Sequence, residues 1–239
     1  MTVADVVSFF LIAFAYLALA IFLAGVAYRI YLYAQAPAPF NIALTPAPKT
    51  AGGAIARLTG DVLLFQNLFR ADKVLWAGSW VFHASLFITL TWHLRYFLYP
   101  VPEFVMFMQP PAVYTGYLFP IAAVYLFWRR LASLREFYTS GLPDYGALIL
   151  LGGIAGTGLL VHYVARAYLV DIKAFALGLV TLRPVAPPMH PIFIFHFLLV
   201  CLLLIYFPYS KLMHAGGLFF SPTRNQTYDL ARRHVNPWN

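Results

Sequence analysis

The sequence predicts an all-α integral membrane protein with five transmembrane helices, its N-terminus outside and its C-terminus cytoplasmic. Three observations carry that expectation. Of 239 residues, 62% are hydrophobic and only 10% charged, which is not a soluble globular balance. Five segments, 6–28, 74–94, 104–128, 145–165 and 184–210, contain no Asp, Glu, Lys or Arg. Each can supply the roughly 20 apolar residues of a bilayer-crossing helix, whereas a membrane barrel would show short alternating strands. The basic residues are also unevenly placed. Twelve (Arg29, Lys49, Arg57, Arg70, Lys73, Arg129, Arg130, Arg135, Lys211, Arg224, Arg232 and Arg233) fall on one side, against Arg95, Arg166, Lys173 and Arg183 on the other. The positive-inside rule makes the richer side cytoplasmic. It also accounts for the net charge of +8 without a nucleic-acid partner.

The first span, about 6–28, opens after Asp5 and lacks a basic leader, so it reads as a helix rather than a cleaved signal. An Ala/Pro-rich linker, 34–49, should be extended. From Ile55 the residues Leu58, Val62, Phe65 and Phe69 recur at helical spacing among Arg57, Asp61 and Arg70. That pattern fits a short helix at the cytoplasmic interface, against a partner subunit or simply leading into the second span.

The second span, about 74–98, ends in the aromatic belt Arg95-Tyr96-Phe97-Leu98-Tyr99. The third, about 112–128, carries Pro120, which predicts a kink. In the fourth, about 145–166, Gly152, Gly156 and Gly158 allow close approach of another helix or of a cofactor. The fifth, about 191–214, starts at Pro191, with Pro208 expected to bend or break it. Residues 215–239 form a polar cytoplasmic tail, and 1–239 together make one membrane domain.

Histidines stand out within this apolar chain. His83 and His93 are the titratable groups of the run 74–94, and His196 and His214 accompany the fifth span. Ionisable groups at membrane depth are costly and mark function, and neutral imidazole is the commonest metal ligand. A spacing of eighteen residues is about five whole turns, so His196 and His214 would share a face of a continuous helix. The ten-residue spacing leaves His83 and His93 roughly 80° apart. The two spans run in opposite directions, so His83 should face His214 and His93 should face His196. Cys201 is the single cysteine, which excludes an intramolecular disulfide, an iron–sulfur cluster or covalent haem attachment within this chain. A redox metal here would be a haem held by histidine.

Of the remaining polar groups, Arg95 is a candidate for a haem propionate or a quinone oxygen, or a side chain snorkelling to the interface. Glu103, His162 and Arg166 are lesser candidates on the same side. His162 also fits a packing role. His190 and His234 read as solvated.

The two histidine spacings resemble those of the gamma subunit of respiratory nitrate reductase, a five-helix di-haem cytochrome b. The stretch HLRYFLYPVPEF beginning at His93 looks more like DsrM, the related subunit of the sulfite-reductase-associated Dsr complex. The resemblance implies two haems b, an inner one on His83 and His214 and an outer one on His93 and His196. It implies a bacterial or archaeal cytoplasmic membrane protein that exchanges electrons with quinone or menaquinone. The implied partners are a cytoplasmic iron–sulfur subunit resembling heterodisulfide reductase, together with other membrane and periplasmic subunits, in dissimilatory sulfur metabolism. Terminal substrate chemistry would lie on another subunit. The competing expectations are a nitrate reductase or other quinol dehydrogenase anchor and, from a different class, a haem-free transporter or assembly subunit.

Overall fold

A computed structural model describes residues 2–36, 47–221 and 227. All regular structure among them is helical: α1 (Val3–Gln35), α2 (Ala51–Leu63), α3 (Gln66–Ala71), α4 (Lys73–His93), α5 (Glu103–Phe107), α6 (Gln109–Ala132), α7 (Leu134–Thr139), α8 (Leu142–Leu160), α9 (Leu169–Val180), α10 (Pro191–Tyr206) and α11 (His214–Gly217). Five of these, α1, α4, α6, α8 and α10, are long and apolar enough to cross a membrane once their continuing turns are included. The chain is a multi-pass membrane protein.

The ends of these helices have local causes. At the start of α1, Thr2 Oγ1 accepts from Asp5 N (3.2 Å) while Asp5 Oδ2 accepts from Thr2 N (2.7 Å). That reciprocal cap satisfies two otherwise orphaned donors. The helix runs past the expected residue 28 to Gln35. No breaker precedes Pro37, and Tyr33 packs on Phe220 at 6.0 Å. Residues 34 and 35 of the expected linker are therefore helical, and its centre, 37–46, lies outside the described residues. The tail expected at 215–239 lies mostly outside them as well.

The amphipathic stretch after the linker forms two helices, α2 and α3, rather than one. Phe65 breaks it, with a left-handed backbone at φ 49. The indoles of Trp76 and Trp80 in α4 donate to the carbonyls of Leu64 (2.7 Å) and Leu63 (3.1 Å), satisfying acceptors at the end of α2. Asp72 caps α4 by accepting from Leu75 N at 2.8 Å and pairs with Arg129 at the end of α6.

The spans pack in the order α4–α6–α8–α10–α1, and α4 and α10 have no comparable contact. Phe82, Phe119, Ala122, Ala123, Leu148 and Leu151 form the core between α4, α6 and α8. Gly78 lets the Tyr125 ring approach α4 so closely that a Cβ there would meet it at 2.1 Å. The α6 helix runs on through Pro120.

Two features differ from the expected layout. Between α8 and α10 lies α9, for which the sequence offered no span because twelve residues containing Asp171 and Lys173 are too short and too polar to cross a bilayer. Its Phe175 is buried against Phe193 (6.2 Å) and Phe197 (5.2 Å) of α10. The fifth span, expected to reach 214, stops as an α-helix at Tyr206. Two short 3-10 turns follow, Phe207–Tyr209 and Lys211–Met213, separated by extended Ser210. Pro208 supplies no N–H to continue the helical ladder. His196 and His214 thus do not lie on one continuous helix.

Candidate functional site: four histidines in two pairs

The four histidines share one hydrogen-bonding habit. On α4, His83 Nδ1 meets Ser79 O and His93 Nδ1 meets Thr89 O, each at 2.7 Å and four residues back. On α11, His214 Nδ1 meets Lys211 O at 2.7 Å. A carbonyl can only accept, so these Nδ1 atoms carry the proton, and a neutral ring then has its lone pair on Nε2. His196 reaches the same state by another route. Its Nδ1 lies 3.0 Å from Thr157 Oγ1, and the Thr157 hydroxyl gives its single proton to Gly153 O (2.7 Å) or Ile154 O (3.1 Å). With that proton on a carbonyl, the Thr157 oxygen accepts from His196 Nδ1–H in the tautomer that leaves Nε2 its lone pair. A second partner that fixes the tautomer and orientation of the ring is the usual setting of a metal-ligating histidine.

The fold brings two of these rings together as a facing pair. His83 and His214 have centroids 6.0 Å apart and planes at 84°. With metal–imidazole bonds of about 2 Å and a ring radius of about 1 Å, two axial imidazoles on one metal place their centroids about 6 Å apart. Phe65 (5.0 Å) and Phe82 (5.3 Å) flank the His83 ring edge-on. The left-handed backbone of Phe65 thus sits beside this pair, where strained residues tend to gather. His93 lies at the end of α4 and His196 in the second turn of α10. Beside His196, Gly158 leaves a gap that its own Cβ would close to 3.3 Å from Cε1. Among the described residues no group of three or more His, Cys, Asp or Glu gathers around one point. At the His83–His214 pair the donors are two imidazoles, which suits a prosthetic group that brings further ligands of its own.

Arg95 lies two residues beyond His93. Its guanidinium sits over the Trp92 ring (4.2 Å) and the Tyr96 ring (4.7 Å) and donates to Tyr96 Oη at 2.6 Å. Its Nε is buried with no hydrogen-bond partner, a donor left for an anion or a carbonyl oxygen. The other candidates are less organised. His162 is exposed in the π-type turn Val161–Ala165 that closes α8, its ring 4.5 Å from that of Tyr163. Arg166 is exposed with a left-handed backbone, and Glu103 is exposed in the first turn of α5. Among the described residues no hydrogen bond or ion pair joins any of these three to Arg95. His190 has a structural use: its Nδ1 accepts from Ile192 N at 3.2 Å and caps α10.

The family model described as the nitrate reductase gamma subunit matches residues 66–228, which include all four histidines. The chain belongs to the nitrate reductase gamma subunit family. Two archaeal relatives are described as "Hdr-like menaquinol oxidoreductase cytochrome b-like subunit". The one from Archaeoglobus fulgidus is 37% identical over 94% of this chain and 81% of its own length. The one from Archaeoglobus profundus is 33% identical over 95% and 82%.

In this family member, two residues of the site were not singled out from the sequence. Thr157 and Asp144 both lie on α8, which contributes none of the four histidines. Gly152, Gly156 and Gly158 were read as allowing helix or cofactor approach. Gly152 faces Ala123 of α6 and Gly158 faces the imidazole, whereas a Cβ on Gly156 would meet nothing within 4 Å. A hydroxyl set among those glycines, one residue before Gly158, was the available signal for Thr157.

Proposed function

We propose that this chain is the di-haem cytochrome b subunit of a membrane quinol oxidoreductase, with an inner haem b between His83 and His214 and an outer one between His93 and His196. The observation that carries this reading is the facing pair of His83 and His214, 6.0 Å apart, each with Nδ1 held by a backbone carbonyl. Bound there, a bis-histidine haem supplies one-electron transfer and offers no open coordination position. The N-terminus is outside and the C-terminus cytoplasmic on this reading, as the distribution of basic residues requires.

Arg95, with its free Nε and its Trp92–Tyr96 sandwich, would bind a quinone oxygen or a propionate at the outer side. The exposed His162, Arg166 and Glu103 at the same level would serve proton exchange with water. A quinol oxidised there gives up two electrons, which pass inward, and two protons, which leave outside, so turnover contributes to a membrane potential. The names of the relatives favour a menaquinol substrate and a heterodisulfide-reductase-like iron–sulfur partner over a nitrate reductase. A Dsr-type role in sulfur metabolism is the setting the HLRYFLYPVPEF stretch supports.

Purification tests the reading directly. A red preparation that yields two acid-acetone-extractable haems per chain is expected. A colourless one would instead support a transporter or assembly subunit. Arg95→Leu should slow haem reduction by a menaquinol analogue while leaving both haem spectra intact, and a full rate would move the quinone site elsewhere. The identity of the co-purifying cytoplasmic subunit decides between the partners.

A further inference from the structure

We propose that Asp144 is a positioning residue for His214, acting through Lys211. The inference rests on the reading of His214 as a haem ligand. The ligands on α4 orient themselves, each bonded to a carbonyl of its own helix four residues back. His214 has no such support, because the chain between α10 and α11 is broken at Pro208 into two single turns. The ring is instead held by the Lys211 carbonyl, so its direction is only as fixed as Lys211 itself.

Lys211, its side chain 72% exposed, has an ionic partner outside its own segment. Its Nζ lies 2.7 Å from Asp144 Oδ2, in the first turn of α8. The Asp144 side chain is 7% exposed, and its carboxylate also accepts from Gly141 N at 2.9 Å. A carboxylate buried beside a membrane span is costly unless it is paired, and Lys211 is that pair. One residue away, Pro143 O accepts from Tyr206 Oη at 2.7 Å. The irregular segment is therefore pinned to α8 at its start by Tyr206 and beside its ligand by Lys211. Removing the ion pair frees the residue whose carbonyl aims the imidazole, and the angle between the His83 and His214 planes relaxes.

That angle is measurable, because crossed axial imidazole planes give a low-spin ferric haem a large maximal g value and parallel planes a smaller one. The test uses Asp144→Asn and Lys211→Met in the full chain within its native membrane complex. Asp144→Asn keeps an acceptor for Gly141 N. Both variants should move the maximal g value of the same haem, the one whose signal His214→Ala abolishes, and leave the other haem unchanged. Their effects on its midpoint should have opposite signs, upward when the carboxylate is lost and downward when the ammonium is lost. The expected size is about a tenfold change in the oxidised-to-reduced ratio at fixed potential, or about 59 mV for one electron. Asp144→Glu should restore the wild-type signal. An unchanged g value in either variant, or equal shifts in both haems, overturns the proposal. A wild-type complex without haem overturns the functional reading, and this proposal with it.

Discussion

His83 and His214 face each other with ring centroids 6.0 Å apart and planes at 84°, although α4 and α10, the spans that lead to them, do not pack together. The two rings close an arc that the helix backbones leave open. Packing runs from α4 through α6 and α8 to α10, so the imidazoles meet across the interior of the arc.

The pairing gives the first expected outcome. His83→Ala and His214→Ala should each halve the haem content and remove the same spectroscopic component. His93→Ala and His196→Ala should remove the other. Redox titration with pyridine haemochrome quantitation checks this. Equivalence of His83→Ala and His196→Ala would contradict the observed 6.0 Å pair.

Thr157 Oγ1 lies 3.0 Å from His196 Nδ1, placed to accept its N–H. Loss of such an outer partner typically weakens a metal centre 10- to 100-fold. Thr157→Val should therefore loosen retention of the His93/His196 haem by about that factor and leave the other haem intact, while Thr157→Ser should behave as wild type. Timed haem transfer to apomyoglobin from the purified protein measures both. Equal loss of the two haems would mean that Thr157 only packs.

Gly78 is a packing position without a role in the site. A Cβ there would lie 2.1 Å from Tyr125 Cε1, and the Tyr125 hydroxyl is already committed to Val74 O at 3.2 Å. Gly78→Ala should force α4 from α6 and destabilise the protein by about 1–3 kcal/mol, the usual range for overpacking. Thermal unfolding in detergent reads this directly, with Gly146→Ala as the control because nothing lies within 4 Å of the Cβ it would gain.

Acid sensitivity should appear at the junction of α4 and α6. The Leu75 backbone N–H, helped by the Arg129 guanidinium and opposed by desolvation, holds the Asp72 carboxyl below its ordinary value of 3.8. A lowered folded value means that this stabilisation is complete above the unfolded value and is lost as pH falls through the folded one. Wild-type stability should thus drop only below about pH 4. Asp72→Asn keeps an acceptor for Leu75 N but not the charge facing Arg129, and it should lack that acid-dependent increment. Denaturation curves between pH 6 and pH 3 for both proteins test the difference.

The five spans and the four histidines were legible in the sequence because the membrane leaves few choices. With no water to satisfy backbone groups, a charge-free run of that length can cross only as a helix, and an imidazole within it is conspicuous. Opposite helix directions then paired His83 with His214 before any coordinates. The aim of each ring was not legible. Thr157 and His196 are 39 residues apart, and Asp144 and Lys211 are 67 apart. No local periodicity links such positions, and they meet only because α8 packs beside α10. The same holds for α9, too short and too charged to register as a span, which is recognised by the burial of Phe175 against Phe193 and Phe197. The composition of the chain determined where helices cross and which residues can ligate. The tertiary structure decided how those residues are held, because directional hydrogen bonds between distant segments exist only once the helices are packed.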